Sequence, residues 1–282
     1  MNDAEHSARP VDFESPPLNE VTFSLQFDED VADELLALSR FAPRVHDEFP
    51  NLEKQPPVPK ATERFEVPPP EIAPQVQLLT GPPTGRYWFV SDDGTQLAQV
   101  QADRFMFNWR QVKGDESYPH FDVLYPKFKQ LVQTFDDVVS TAKAPIPYPS
   151  WCELVYTNVI EAEGDTPGTH GQLARILNYL VEDPHRATLP PVEDTQIQQR
   201  FRLTDDDGEP YGRLYVSAVP GFRKTDGRPV YVLTLHARGR APAGSMPESL
   251  DSFFDRAHLL IVKGFREVTT PAMHERWKEK EV

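Results

Sequence analysis

The sequence predicts an α+β fold, a tandem pseudo-repeat of β-α-β-β-β-α units in which antiparallel sheets are each covered by a long helix. Three observations lead to this prediction. The order of strand-like and helix-like periodicities that starts near residue 16 starts again at Trp151. An aspartate–glycine hairpin signal occupies the same place in both orders, at Asp93-Gly94 and at Asp207-Gly208. Each order then reaches a long amphipathic helix.

The first unit is predicted to span residues 16–148, after an acidic, polar N-terminal arm (residues 1–15) that we expect to be disordered. Strict alternation of apolar and polar residues predicts a strand from Val21 to Phe27. Asp28 is a candidate N-cap for the helix that follows, and the proline-dense stretch from Pro50 to Pro74 should be irregular and lie on the surface. The remaining predicted elements are three strands and a helix, at Arg86–Ser91, Thr95–Gln101, Arg104–Arg110 and Phe121–Val138.

The second unit is predicted to span residues 149–282. It starts with a strand from Trp151 to Glu161, and a capping box at Thr169–Gln172 predicts a helix that buries Leu173, Ile176, Leu177 and Leu180. Three strands should follow, at Gln196–Thr204, Tyr211–Val219 and Pro229–Arg238. Ser245 should cap a long helix that buries Phe253, Phe254, Ile261 and Phe265, and a short last helix should start at Thr270-Pro271.

Composition excludes several classes of protein. The formal net charge of −15 over 282 residues argues against a general binder of nucleic acid or anionic membranes. Cys152 is the one cysteine, so an intrachain disulfide framework and a multi-thiolate metal site are excluded. The first residues carry charges and no apolar run, and no stretch has the length of a membrane span. We therefore expect a cytoplasmic protein without a membrane association.

Three passages carry a resemblance to a known group of proteins. They are Pro16 to Val21 (PPLNEV), Tyr156 to Ile160 (YTNVI), and the closing set of Phe254 to His258, Gly264 to Thr269 and Trp277. Together they resemble a sporadically distributed family of uncharacterised bacterial and archaeal proteins of about this length. The resemblance brings no established activity, and the sporadic distribution suggests a role in a bacterial defence or toxin–antitoxin operon.

No set of residues in the sequence predicts catalysis, a metal site or a cofactor. Cys152 lies in a predicted strand beside Trp151, where a buried, inert thiol is the ordinary outcome. His236 and His258 lie on elements expected to pack together, but two histidines without a third ligand make a poor zinc site. Arg40 and His46 have the spacing found in one class of small helical ribonucleases, yet Pro43 between them argues against a shared helix.

One dense positive cluster is the strongest candidate binding site. It consists of Arg223, Lys224, Arg228, Arg238 and Arg240, to which Tyr156 and Asn158 are added as weaker candidates. Such a cluster contacts an acidic protein surface or a phosphate backbone. The sequence therefore favours a non-enzymatic binding protein that holds a protein partner through an exposed sheet face and loops. The alternative is an enzyme that processes nucleic acid or nucleotides with these basic strand ends, and the oligomeric state stays open.

Overall fold

The computed structural model describes residues 12–66, 85–140, 145–162, 170–171, 173–178, 180, 188–190 and 192–280. These residues form one nine-stranded sheet and a separate two-stranded ladder. The strands of the large sheet are β2 (Leu18–Gln26), β3 (Asn51–Gln55), β4 (Arg86–Val90), β5 (Gln96–Gln101), β6 (Arg104–Arg110), β7 (Trp151–Glu161), β8 (Ile197–Thr204), β9 (Pro210–Phe222) and β10 (Pro229–Gly239). The short ladder joins β1 (Asp12–Phe13) to β11 (Glu279–Lys280).

Every neighbouring pair in the large sheet is antiparallel, and the strand order is β3-β4-β5-β6-β2-β7-β10-β9-β8. The central pair is β2 and β7, in which Phe23 lies opposite Leu154. The edge strand β3 is exposed along its length and carries Glu53 and Lys54, charges that protect a sheet edge from further pairing.

Helices lie on one face of this sheet. A short helical run comprises α1 (Glu34–Leu36), a π-helical turn (Ala37–Phe41) and α2 (Ala42–Val45), and it is followed by α3 (Phe121–Ser140), α4 (Met246–Val268) and α5 (Pro271–Arg276). The longer helices, α3 and α4, have their apolar side chains at the spacing that the sequence predicts, and Phe253, Phe254, Ile261 and Phe265 are all buried.

The core lies between the helices and the face of the sheet that they cover, the helix-covered face. Phe23 on β2 is fully buried, and its ring centroid lies 5.1 Å from that of Phe128 on α3 and 5.7 Å from that of Phe254 on α4. Phe105 on β6 stacks on Phe135 at 4.9 Å. Aromatic pairs of this kind add about 0.5–1.5 kcal/mol each beyond the burial of their area. A single aromatic core therefore joins both long helices to the centre of the sheet.

The predicted fold class is wrong in its arrangement. Instead of a tandem pseudo-repeat of units whose antiparallel sheets are each covered by a long helix, the strands on both sides of residue 149 belong to one nine-stranded antiparallel sheet. Two small sheets would each expose an unpaired edge, and the pairing of β2 with β7 satisfies the backbone groups of both edges. Phe254 also packs on Phe23 and Phe128, so α4 contacts residues that the sequence assigns to the other unit.

Three local predictions are also corrected. The helix expected after the capping box is reduced to a 3₁₀ turn at Leu173–Arg175, and Gly171 has a φ of 60°, which is incompatible with a continuing helix. Thr169 and Gln172 themselves lie outside the described residues. Strand β3 lies inside the stretch from Pro50 to Pro74 that was expected to be irregular. In the predicted arm, residues 12 and 13 are ordered as β1, whereas residues 1–11 lie outside the described part.

Candidate functional site

The opposite face of the large sheet, the polar face, carries charged and amide side chains at alternate positions of its central strands. Side chains of a strand alternate between the two faces, so the positions between the core residues point away from the helices. Along β2, Phe23 and Leu25 face the core, and Ser24 and Gln26 face the other side. The same alternation places Gln101, Arg104, Glu153, Arg213, Tyr215, His236 and Arg238 on the polar face.

Residues 56–66, here called the crossing segment, run across this face in a non-regular conformation. Two glutamines each form a pair of hydrogen bonds with its backbone. Gln101 Nε2 donates to Val58 O (2.9 Å), and Val58 N donates to Gln101 Oε1 (2.8 Å). Gln26 Nε2 donates to Ala61 O (2.7 Å), and Ala61 N donates to Gln26 Oε1 (2.8 Å). The glutamines therefore contact the backbone of the segment as a neighbouring strand would.

The segment crosses the strands from β5 towards β9. Its contacts begin at Gln101 on β5 and end at Arg213 on β9, five strand spacings away in the sheet. At about 4.8 Å per spacing this distance is roughly 24 Å, and an extended chain needs about seven residues to cover it. Residues 58 to 64 supply that number, so the segment is extended.

Arg104 lies at the centre of the polar face, with only 3% of its surface exposed. Its guanidinium donates to Glu153 Oε1 (2.9 Å), to Gln26 Oε1 and to Pro59 O (3.3 Å). The residue thus connects the floor of the sheet to the crossing segment. Since a buried guanidinium is stable only with a paired carboxylate, Arg104 and Glu153 depend on each other.

Glu153, which is 4% exposed, accepts hydrogen bonds from three side chains. Its Oε1 accepts from Arg104, and its Oε2 lies 2.7 Å from His236 Nε2 and 2.9 Å from Arg238 Nη2. Burial alone would raise the pKa of Glu153, but the hydrogen bond with His236 and the electrostatic interactions with Arg238, His236 and Arg104 outweigh it and lower the pKa to about 2. Glu153 is therefore a permanent anion at the base of the polar face.

Glu63 of the crossing segment is held by the carboxylate cradle, which we define as Arg213, Tyr215 and Arg238. Glu63 Oε2 accepts from Arg213 Nη1, and Glu63 Oε1 accepts from Tyr215 Oη (2.5 Å) and Arg238 Nη1 (3.0 Å). Burial raises the pKa of Glu63, but the hydrogen bonds from Tyr215, Arg213 and Arg238 more than offset this, and the pKa is lowered. With 7% exposure, Glu63 is the one buried residue of a segment whose other residues are exposed or half-buried.

The structure does not bring the predicted basic cluster together. Arg238 belongs to the carboxylate cradle. Arg240 lies past the end of β10, with its guanidinium 5.2 Å from the Trp151 ring centroid. Arg223, Lys224 and Arg228 lie at the other end of this eleven-residue strand, about 30 Å away.

At that end, both arginines of the predicted cluster, Arg223 and Arg228, are paired with carboxylates. Arg223 binds Glu161 and lies 3.3 Å from Asp226, and Arg228 lies 3.2 Å from Asp226 and 3.7 Å from Glu161. Lys224 is exposed. Because these carboxylates neutralise the arginines, this end of the sheet does not present an unopposed basic patch.

The other sequence candidates lie apart from the polar face. Tyr156 and Asn158 are buried on the helix-covered face and line a common cavity. Cys152 is fully buried, and burial raises the pKa of its thiol. His236 and His258 do not pack together, because they lie on opposite faces of the sheet. Among the described residues, no group of three or more His, Cys, Asp or Glu side chains could hold a metal ion.

The ribonuclease-like pair Arg40 and His46 also forms no site with other described groups. The helical run continues through Pro43, against expectation, because the π-helical turn precedes it and Ala42 N donates to Ala37 O. Both Arg40 and His46 are exposed. Two exposed side chains on one helix, without a further catalytic group beside them, do not form a catalytic site.

Sequence reasoning missed most of the polar-face residues. Glu63, Gln26, Gln101, Arg104, Glu153, Arg213 and Tyr215 were not among the candidates. One signal was present: Glu153 lies between Cys152 and Leu154 in an otherwise apolar stretch, Trp151 to Val155, and a charge at such a position requires a buried partner. The partner itself, Arg104, is 49 residues away in the sequence, so local pattern could not identify it.

Comparison with known proteins does not assign this chain to a family. No protein-family model matches the sequence, and no curated protein matches it. Among the described helices, none is long and apolar enough to cross a membrane.

Proposed function

We propose that this chain is a non-enzymatic binding protein whose polar face holds an extended, acidic peptide segment of a protein partner. The observation that carries the proposal is the way in which the polar face holds the crossing segment. Two glutamines bind its backbone at Val58 and Ala61, and the carboxylate cradle binds the side chain of Glu63. In this proposal the crossing segment is the resident occupant of a peptide-binding face.

The recognition has two components that resemble known modes of peptide binding. Paired hydrogen bonds to backbone N–H and C=O groups give affinity without dependence on side-chain identity. Charge-assisted hydrogen bonds from two arginines select a carboxylate, and they are about twice as strong as neutral ones. A peptide with a glutamate two residues after a backbone contact, as Glu63 follows Ala61, satisfies both components.

The polarity of these contacts supports an exchange of the resident segment for a partner peptide. The crossing segment is held chiefly through hydrogen bonds and ion pairs, and Glu63 is its one buried residue. Polar contacts can be replaced by the same contacts to another peptide. The resident segment has an effective concentration in the millimolar range, because it is covalently attached, so a partner must compete with it.

The test is binding of a fluorescent peptide with the sequence of residues 56–66 to the full chain, followed by fluorescence anisotropy. We expect Glu63→Ala to raise the affinity for the free peptide at least about tenfold, since the resident segment has lost its anchor. Replacing the glutamate of the peptide with glutamine should lower its affinity for the Glu63→Ala protein by about tenfold.

Glu66→Ala serves as the matched control, because Glu66 is an exposed carboxylate of the same segment. It should leave peptide binding at the wild-type level. Glu63→Gln is a second variant in which the resident segment loses its charged anchor, and its side chain has nearly the same shape as that of glutamate. Equal affinity of wild type and both Glu63 variants for the peptide would refute the proposal. Turnover of RNA, DNA or a nucleotide by the purified protein would support the enzymatic alternative instead.

A further inference from the structure

A second candidate binding site lies on the helix-covered face, independent of the polar face. It is a cavity of about 310 Å³, here called the tyrosine cavity. Most of its wall is apolar and comes from Leu18, Phe121, Leu235, Ile261 and Phe265. This size lies at the lower end of the range for small-molecule sites, and such sites combine apolar walls with a few convergent polar groups.

The polar part of the tyrosine cavity is a chain of three hydrogen-bonded side chains. Tyr118 Oη lies 3.0 Å from Tyr156 Oη, which lies 2.9 Å from His258 Nδ1. The His258 ring stacks on Phe121 with a centroid distance of 4.1 Å and an interplanar angle of 4°. No described residue forms a hydrogen bond with the other ring nitrogen of His258, Nε2, so this nitrogen is open to solvent or a ligand.

These three side chains are uncharged near neutral pH. Burial raises the pKa values of the Tyr118 and Tyr156 hydroxyls above that of an ordinary tyrosine. Burial also lowers the pKa of His258 to about 4, although the charge of Asp122 opposes this change. The cavity thus offers neutral donors and acceptors, which suit a hydroxyl or amide group better than a carboxylate.

The charged residues of the lining favour a cation over an anion. The described lining includes Asp12 and Asp122 and contains no lysine or arginine. Asp12 is paired with Lys280 at 2.7 Å, whereas Asp122 forms no salt bridge with any described residue. An unpaired carboxylate beside an apolar cavity attracts an ammonium group and repels a carboxylate.

The backbone at this site is strained. His120 has a φ of 69°, and its ring lies 5.1 Å from the Tyr118 ring. A non-glycine residue in the left-handed region is strained, and such residues cluster at ligand sites. Here His120 and its neighbour Tyr118 both line the cavity.

We infer that the tyrosine cavity binds a small aromatic or apolar molecule that carries a hydroxyl or an amine and no negative charge. The apolar wall takes the ring system, the chain of Tyr118, Tyr156 and His258 takes the hydroxyl, and Asp122 takes the amine. This inference stands apart from peptide binding on the polar face, which uses none of these residues.

The test compares three probes of one shape at neutral pH by isothermal titration calorimetry: 2-naphthol, 2-naphthylmethylamine and 2-naphthoate. We expect the neutral and cationic probes to bind at least about tenfold more tightly than the anion, equivalent to about 1.4 kcal/mol. Asp122→Asn should weaken the amine several-fold and leave 2-naphthol unchanged. This variant alters an exposed side chain and should fold normally.

A second pair of variants separates the cavity from the surface of the same helix. Val262→Trp places a large ring in the lining and should abolish binding of all three probes. Leu259→Trp alters an exposed position outside the lining and should change nothing. Undiminished binding in folded Val262→Trp would overturn the inference. Equal affinity for 2-naphthoate, or no binding tighter than about 1 mM by any probe, would overturn it too.

Discussion

Glu153 is the residue on which the polar face depends most. It is a buried anion with two arginines and a histidine around it, and it connects β7 to β6 and β10. Replacing it removes the charge that compensates Arg104, which is buried as deeply as Glu153 itself. A buried charge without its partner is among the most destabilising changes in a protein, at about 3–5 kcal/mol.

Glu153 also predicts a pH dependence of stability. Its pKa is lowered in the folded state from the ordinary 4.5 to about 2, so the stabilisation is fully present above about pH 4.5 and is lost as the pH falls towards 2. A shift of this size corresponds to roughly 3 kcal/mol. We expect the difference in unfolding free energy between wild type and Glu153→Gln, measured in urea, to shrink across this window.

Glu267→Gln is the control for this measurement, because the Glu267 side chain is exposed. Its difference from wild type should stay within about 0.5 kcal/mol throughout. A Glu153→Gln difference that is the same at pH 6 and pH 2.5 would show that Glu153 is not a low-pKa group in the folded protein.

Elements with a strong local pattern could be predicted from the sequence. The alternation around Phe23 predicts β2, and the apolar spacing from Leu250 to Val268 predicts α4, because a single covered face dictates both patterns. Strand β3 has the polar sequence NLEKQ at an exposed edge, where no core imposes an alternation, and it was missed. The positive φ at Gly171 interrupts the first turn of the expected helix, and the sequence could not reveal it because glycine permits several backbone conformations.

The packing of α4 gives a prediction at the scale of the element. Phe254 is fully buried, and its ring lies 5.2 Å from Phe128 and 5.7 Å from Phe23. Phe254→Ala should lower the free energy of unfolding by about 3–5 kcal/mol through lost transfer energy and a cavity. Leu259→Ala on the exposed side of the same helix should cost under about 1 kcal/mol. Equal midpoints and slopes of the two urea denaturation curves would contradict this packing.

At the scale of the molecule, the pairing of β2 with β7 could not be predicted from sequence periodicity. Alternation shows that a strand has one covered face, but it does not identify the neighbouring strand. The carboxylate cradle could not be predicted for the same reason, because Glu63 is 150 residues from Arg213 and 175 from Arg238 in the sequence. Long-range pairing brings these groups together, so the sequence could reveal the charged residues individually but not the site.

Because one sheet and one core extend across the molecule, we expect β2 and β7 to open only with the whole fold. Hydrogen exchange measured by NMR should give amides in β2, β6, β7 and β10 the same opening free energy, within about 1 kcal/mol. A group of β7 and β10 amides that exchanges several kcal/mol more easily than those of β2 and β6 would show that the two parts of the sheet unfold separately.

The ladder of β1 and β11 affects how the molecule would respond to mechanical force. Asp12 lies opposite Lys280, and Phe13 lies opposite Glu279, so two positions 268 residues apart are neighbours. Tension applied between residues 12 and 280 pulls perpendicular to this two-residue ladder and breaks its hydrogen bonds one after another. The first rupture would occur at low force in the ladder, and the nine-stranded sheet would carry load only after that release.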